Sequence, residues 1–153
     1  MAKRSAGLLL YRRREGRLEV LLVHPGGPLW ARRDEGAWSV PKGEVAEGED
    51  AFAAARREFA EETGATADGP ALPLAACRQR GGKIVEAWAV EGDFDPALLR
   101  SNTFSLEWPP RSGRWMDVPE VDRAGWFGIE EARRKILDGQ QRLLDELEER
   151  LSR

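Results

Sequence analysis

The chain has 153 residues, with 27 acidic and 24 basic side chains, a net charge of −3, one histidine and one cysteine. This length suits one domain, residues 1–153, with a sizeable core, and the near balance of charge leaves no broad basic footprint, so DNA binding is not expected. The lone Cys77 excludes an internal disulfide, and no run resembles a secretory signal or a membrane-spanning segment, which makes the cytoplasm the expected compartment and a membrane no partner.

Residues 6–12 and 18–24 are predicted as the strands of a hairpin around Glu15-Gly16, with the run Arg12-Arg13-Arg14 explained by that turn. His24 ends the second strand before Pro25-Gly26-Gly27-Pro28, where it either touches a nucleotide or serves the structure. Residues 38–41 lead into the most informative stretch of the chain. Residues 50–63 are rich in alanine, glutamate and arginine, and Gly64 supplies a stop, so a helix is predicted there. Phe52, Ala55 and Phe59 form its apolar stripe. Glu58, Glu61 and Glu62 stand at i, i+3 and i+4 and gather on one neighbouring patch, where like charges repel and a divalent cation would turn repulsion into binding.

Further on, residues 71–79 and 83–91 are predicted as a second pair of strands joined at Gly81-Gly82. Cys77, among Leu74, Ala75 and Ala76, is expected to be a buried small hydrophobe. Residues 100–114 are rich in turn formers and are expected to form a loop that meets substrate. Trp126 and Phe127 mark a final strand. From Ile129 onward Ala132, Ile136, Leu143, Leu144, Leu147 and Leu151 recur at helical spacing, with an interruption at Asp138-Gly139. Trp30, Trp38, Trp108 and Trp115 lie in or beside loops, where rings either stack on bases or pack into core and lid.

The spacing around the first helix carries more than helix propensity. Gly43 is followed after five residues by Glu49, and after seven more by Arg57-Glu58-Phe59-Ala60-Glu61-Glu62-Thr63-Gly64-Ala65. This resembles the Nudix box at every fixed position, and only Ala65 is smaller than the aliphatic residue usual there. The resemblance implies an α/β (α+β) fold, an alpha/beta/alpha sandwich with a mixed β-sheet. It implies hydrolysis of a nucleoside diphosphate linked to another group, with magnesium or manganese as cofactor. Glu58 and Glu62 would be metal ligands, Glu61 would assist, Gly43 would offer its carbonyl, and Arg57 would orient Glu58.

Within that family, Pro119-Glu120 followed six residues later by Trp126 resembles the segment of dinucleoside (diadenosine) tetraphosphate hydrolases in which the glutamate binds metal. Ser5-Ala6-Gly7, the run 38–43 and the run 83–88 suggest the same subgroup. Glu120 therefore joins the metal residues, Glu58 and Glu120 are the candidate general bases with Asp122 a weaker competitor, and Lys42 and Lys83 would meet substrate phosphates. The implied partner is a nucleotide or dinucleoside polyphosphate, and monomer and homodimer both stay open. Alternatives are a nucleoside triphosphate pyrophosphohydrolase, action on RNA 5′ ends or inositol pyrophosphates, and a non-catalytic regulatory domain, which the intact set of glutamates disfavours.

Overall fold

Two long strands and the gap between them set the architecture. In the computed structural model, which describes residues 3–79 and 81–152, β1 (Arg4–Arg14) and β2 (Arg17–Pro25) form the expected hairpin, each slightly longer than expected. Glu15 and Gly16 take φ of 52° and 78°, the left-handed pair that matches a two-residue turn to the twist of its strands. β1 and β2 pair only from Tyr11↔Val20 to Arg14↔Arg17 and then diverge.

Residues 39–44 fill that wedge. Ser39 exchanges both backbone hydrogen bonds with Val23 at 2.9 Å, and the Pro41 carbonyl accepts from Leu8 N–H at 3.2 Å. β3 (Lys42–Glu44) then pairs with Ser5–Gly7 of β1. Gly7 permits the close approach, because a Cβ there would lie 2.5 Å from the Pro41 carbonyl oxygen and 2.9 Å from Lys42 Cβ.

On the other edge of β1, β6 (Ile84–Glu91) runs parallel from Arg4↔Ile84 to Tyr11↔Glu91. The strand expected over residues 71–79 is two pieces, β4 (Ala71–Pro73) and β5 (Cys77–Arg78), both antiparallel to β6. Residues 74–76 oppose only residues 86–87, and this one extra residue is a bulge that breaks the ladder. Gly81 and Gly82 turn with φ of 88° and 83°, and Cys77 is buried. The final strand extends beyond Trp126-Phe127 to β9 (Val121–Gly128), antiparallel to β2, which completes the mixed order β4-β6-β1-β2-β9.

Each face of the sheet carries a helical layer, so the fold is the α/β/α sandwich expected. α1 (Ala51–Thr63) buries Ala54, Ala55 and Phe59 against Ala6, Leu8, Leu10 and Leu21. Asp50 caps it by accepting from Ala53 N–H at 3.0 Å, a contact of about 1 kcal/mol. Gly64, at φ 82°, returns its N–H to the Ala60 carbonyl. The opposite layer is α2 (Ile129–Lys135), a 3₁₀ turn at Asp138–Gln140 and α3 (Gln141–Leu151). It sets Ala132, Ile136, Leu143, Leu144 and Leu147 on Leu9, Val20, Leu22 and Val85.

The helical break begins at Ile136, ahead of the expected Asp138-Gly139, because Ile136 leaves the helix to bridge Trp38 in parallel. Trp38 N–H donates to the Lys135 carbonyl, and Leu137 N–H donates to the Trp38 carbonyl. Just beyond, Gln140 is fully buried. Its Oε1 accepts from Val40 N–H at 3.0 Å, and its Nε2 donates to Ser39 Oγ at 3.0 Å and to Gln79 Oε1 at 2.8 Å.

Residues 100–114 do not form the irregular loop expected. β7 (Thr103–Glu107) and β8 (Trp115–Pro119) make a separate two-stranded sheet. Its register sets Phe104 opposite Val118 and Leu106 opposite Met116, so a short period-2 apolar pattern does exist, masked by the turn formers around it. The Glu107 carboxylate closes the arm by accepting from Arg111 and Gly113 N–H at 3.2 and 3.1 Å. Among the described residues no helix is long and apolar enough to cross a membrane.

Candidate metal and substrate site

The site forms where α1 meets the wedge between β1 and β2. Arg57 is the hub of its outer half. Nε and Nη2 donate to the two carboxylate oxygens of Glu49 at 2.9 and 3.0 Å, a fork-to-fork pair. Nη1 donates to Glu58 Oε1 at 2.8 Å and Glu61 Oε2 at 3.2 Å, and Nη2 also reaches the Glu44 carbonyl at 3.2 Å. Glu49 further accepts from Ala46 N–H at 3.0 Å. The guanidinium, with that backbone bond, holds the Glu49 carboxyl down at about 2.

The inner half lacks such a cation. Glu58, Glu62 and Glu120 each offer a carboxylate oxygen, and the three oxygens lie within 4.8 Å of one another. Glu62 is buried. Burial first, then Glu58 and Glu120, push its carboxyl up to about 8, against the pull of Lys42. Burial likewise raises Glu58 and Glu120, with neighbouring carboxylates adding to it. Gly43 makes the gathering possible, since a Cβ there would lie 2.0 Å from the Glu58 carboxyl carbon.

This donor set fits a hard divalent cation, which takes carboxylate oxygens and offsets the burial and like-charge repulsion that raise the Glu62 carboxyl. Two clefts meet at the cluster. One holds Ser5, Lys42, Gly43, Glu44, Lys83 and Phe104 beside the three glutamates. The other is a slot of about 190 Å³ that runs from Lys42, Glu62 and Glu120 inward to Val23, Trp30, Ala37 and Leu137. Burial, then the neighbouring Lys83, lower the Lys42 ammonium. Neither lysine has an ion-pair partner within 4.0 Å among the described residues.

The profile of the NUDIX domain matches residues 1–147. The chain belongs to the Nudix family. It is 53% identical over 101 residues to an RNA pyrophosphohydrolase of Caulobacter vibrioides, a match covering 63% of this chain and 52% of that protein. It is 39% identical over 66 residues to an asymmetrical bis(5′-nucleosyl)-tetraphosphatase of Caenorhabditis elegans, covering 43% and 44% of the two chains. The matches thus span about half the length of these curated relatives. Among solved structures, an Ap4A hydrolase binary complex from C. elegans superposes with a TM-score of 0.68 at 24% identity, over 97% of this chain and 98% of the other. The NUDIX domain of Shewanella oneidensis NrtR, complexed with ADP ribose, gives 0.68 at 17% identity over 99% and 89%. At these identities the two structures speak for the fold.

Against this Nudix frame, the residues singled out in the sequence sort into distinct places. Glu58, Glu62 and Glu120 converge, whereas Glu61 is held outside the trio by Arg57. Gly43, Lys42 and Lys83 all line the cleft at the cluster. His24 is fully buried, with Nδ1 2.8 Å from Asp122 Oδ1 and Nε2 2.6 Å from the Arg33 carbonyl. It therefore serves the structure, and Asp122 is occupied with it. Trp30 lines the slot, Trp38 is buried against His24 and Phe127, and Trp115 is 66% exposed on the β7–β8 arm. The slot itself had no signal in the sequence, because Val23, Trp30, Ala37 and Leu137 belong to no common motif. Phe104 was hidden by the assignment of its segment to a loop.

Proposed function

We propose that this Nudix chain is a divalent-metal-dependent hydrolase of phosphoric anhydride bonds in nucleotides, with a dinucleoside polyphosphate such as diadenosine tetraphosphate as its substrate. The observation that carries this reading is the convergence of three carboxylates within 4.8 Å at the junction of two clefts. Glu58, Glu62 and Glu120 would hold magnesium or manganese. A bound cation neutralises charge that builds on phosphoryl oxygens and makes water easier to deprotonate.

The chain's own groups supply the rest. Lys42 and Lys83 meet the phosphate chain as point charges, and the apolar slot ending at Trp30 takes a nucleoside base, with the scissile phosphate left over the glutamates. Arg57 fixes the Glu58 carboxylate, which suits it to a ligand's fixed position. The Glu120 side chain accepts no hydrogen bond among the described residues, and its backbone is pinned through Asn102 and Gly26. Glu120 offers the metal one carboxylate oxygen and leaves the other free of hydrogen bonds, whereas Glu58 is bound by Arg57, so Glu120 is assigned as general base through that second oxygen. Gly43 offers its carbonyl to the metal, and Glu61 acts through Arg57.

The 53% identity to an RNA pyrophosphohydrolase favours a second reading, removal of pyrophosphate from RNA 5′ ends. Product analysis separates the two. Incubated with magnesium, the protein should convert diadenosine tetraphosphate to ATP and AMP. Pyrophosphate released from 5′-triphosphate RNA, with the dinucleotide untouched, would install the second reading. Turnover of neither would return the chain to a binding role.

A further inference from the structure

Within the cleft that holds the glutamates, one fully buried side-chain polar atom is left without a hydrogen bond among the described residues. Ser5 is 1% exposed, and its hydroxyl is a buried side-chain oxygen with no hydrogen bond. The large majority of buried hydroxyls are satisfied, because an orphan keeps the cost of leaving water and recovers nothing. Such a group in a cleft signals a partner that arrives from outside.

Register defines its company. Ser5 stands opposite Glu44 on one side and Val85 on the other, and Gly7 stands opposite Lys42. Directly paired residues share a face, and so do residues two apart, which puts Ser5, Lys42 and Glu44 on one face of the sheet, and Lys83 immediately precedes β6. Glu44 is committed to Lys3 at 3.5 Å. Ser5, Lys42 and Lys83 line the same cleft, two ammonium groups and a hydroxyl beside the glutamates, with Glu62 and Glu58 acting on Lys42 through space.

We propose that Ser5, Lys42 and Lys83 form a seat for one phosphoryl group of the substrate, with the Ser5 hydroxyl donating to a non-bridging oxygen. Ser5 is thus a substrate-positioning residue, supplied by a central strand with little freedom to move, while the lysines contribute charge on flexible stems. This rests on the reading of the site as a phosphoanhydride hydrolase, and it adds a neutral, rigid donor to it.

The test compares wild type with Ser5→Ala and Ser5→Thr in the full chain with magnesium. The readouts are inorganic pyrophosphate binding by calorimetry, thermal stability, and kcat and KM for whichever nucleotide the wild type turns over. Ser5→Ala should weaken pyrophosphate about tenfold and lower kcat/KM by about ten- to a hundredfold, the range for a lost hydrogen bond to a charged group. Its Tm should stay level or rise, because the variant deletes an unsatisfied buried group, and Ser5→Thr should recover part of the binding. Unchanged pyrophosphate affinity in Ser5→Ala would overturn the proposal, as would a fall in Tm that tracks the fall in affinity. Weakened pyrophosphate binding in a protein that hydrolyses no nucleotide would uphold the seat and sink the hydrolase reading alone. Full nucleotide turnover by Ser5→Ala would do the reverse.

Discussion

Around Arg57, the carboxylates of Glu49, Glu58 and Glu61 share one guanidinium, and Glu49 is drawn down to about 2. On the inner side of the same helix, Glu62 faces Glu58 and Glu120 in a buried setting and is driven up to about 8. Identical side chains on one motif therefore occupy opposite electrical settings, one gathered on a guanidinium and one crowded by burial and neighbouring carboxylates. Glu58 belongs to both, with Oε1 held by the arginine and an oxygen offered to the trio. The outer group builds the frame, and the inner group is where chemistry has something to gain.

The contrast breaks most visibly at Glu62. Glu62→Gln should lower metal-dependent turnover at least about a hundredfold, the scale of a lost charge-stabilising group, while circular dichroism stays native. Turnover near wild type would remove Glu62 from the metal set. Next in size is Gly43→Ala. The new methyl must displace the Glu58 carboxylate, whose carbon lies 2.0 Å from that position. Because a side-chain end moves rather than backbone, Tm should hold, while kcat falls about ten- to a hundredfold from misplacement of the ligand. A large loss of Tm instead would mean that the glycine serves the fold.

The two halves also predict opposite pH signatures. Glu62 has a folded value raised above the ordinary 4.5, so its contribution to stability is present below that pH and is lost as pH rises toward about 8. Glu49 has a lowered value, so its contribution is present above 4.5 and is lost as pH falls toward about 2. Metal-free protein in chelator should lose Tm as pH rises from about 5 to about 8, and Glu62→Gln should flatten that decline. Magnesium should raise Tm more at pH 8.5 than at pH 6, where a proton competes for the site. Equal shifts at both would show that Glu62 does not titrate against metal. The smallest effect belongs to Glu49→Gln, which spares the trio and should cost less than about tenfold in turnover, acting through the orientation of Arg57.

What the sequence disclosed follows the range of the forces involved. α1 and its Gly64 stop are local, and the spacing of Gly43, Glu49 and Arg57 through Glu62 made the candidate site legible. Glu120 was reached through the pattern running to Trp126. The division of labour between Glu61 and Glu62 was implied by the family resemblance and not by their spacing. The two are adjacent on one patch, and only the rotation of α1 over the sheet decides which turns inward. The β7–β8 arm was misread because its two apolar pairs fall among prolines and glycines, so local turn chemistry outweighed a short alternation. The contact of His24 with Asp122, and of Gln140 with Val40, joins residues about a hundred positions apart, where no periodicity reaches.

Gln140 also ties the site to the far end of the chain. By Ala65 the whole box has been written, yet the segment that delivers Lys42 and Gly43 is fastened through Ser39 and Val40 to a side chain 100 residues further on. A growing chain released at half length would carry every letter of the motif without the geometry. In synthesis from the N-terminus, the box glutamates are made well before Glu120 and Gln140, so the letters of the motif precede the partners that complete its surroundings.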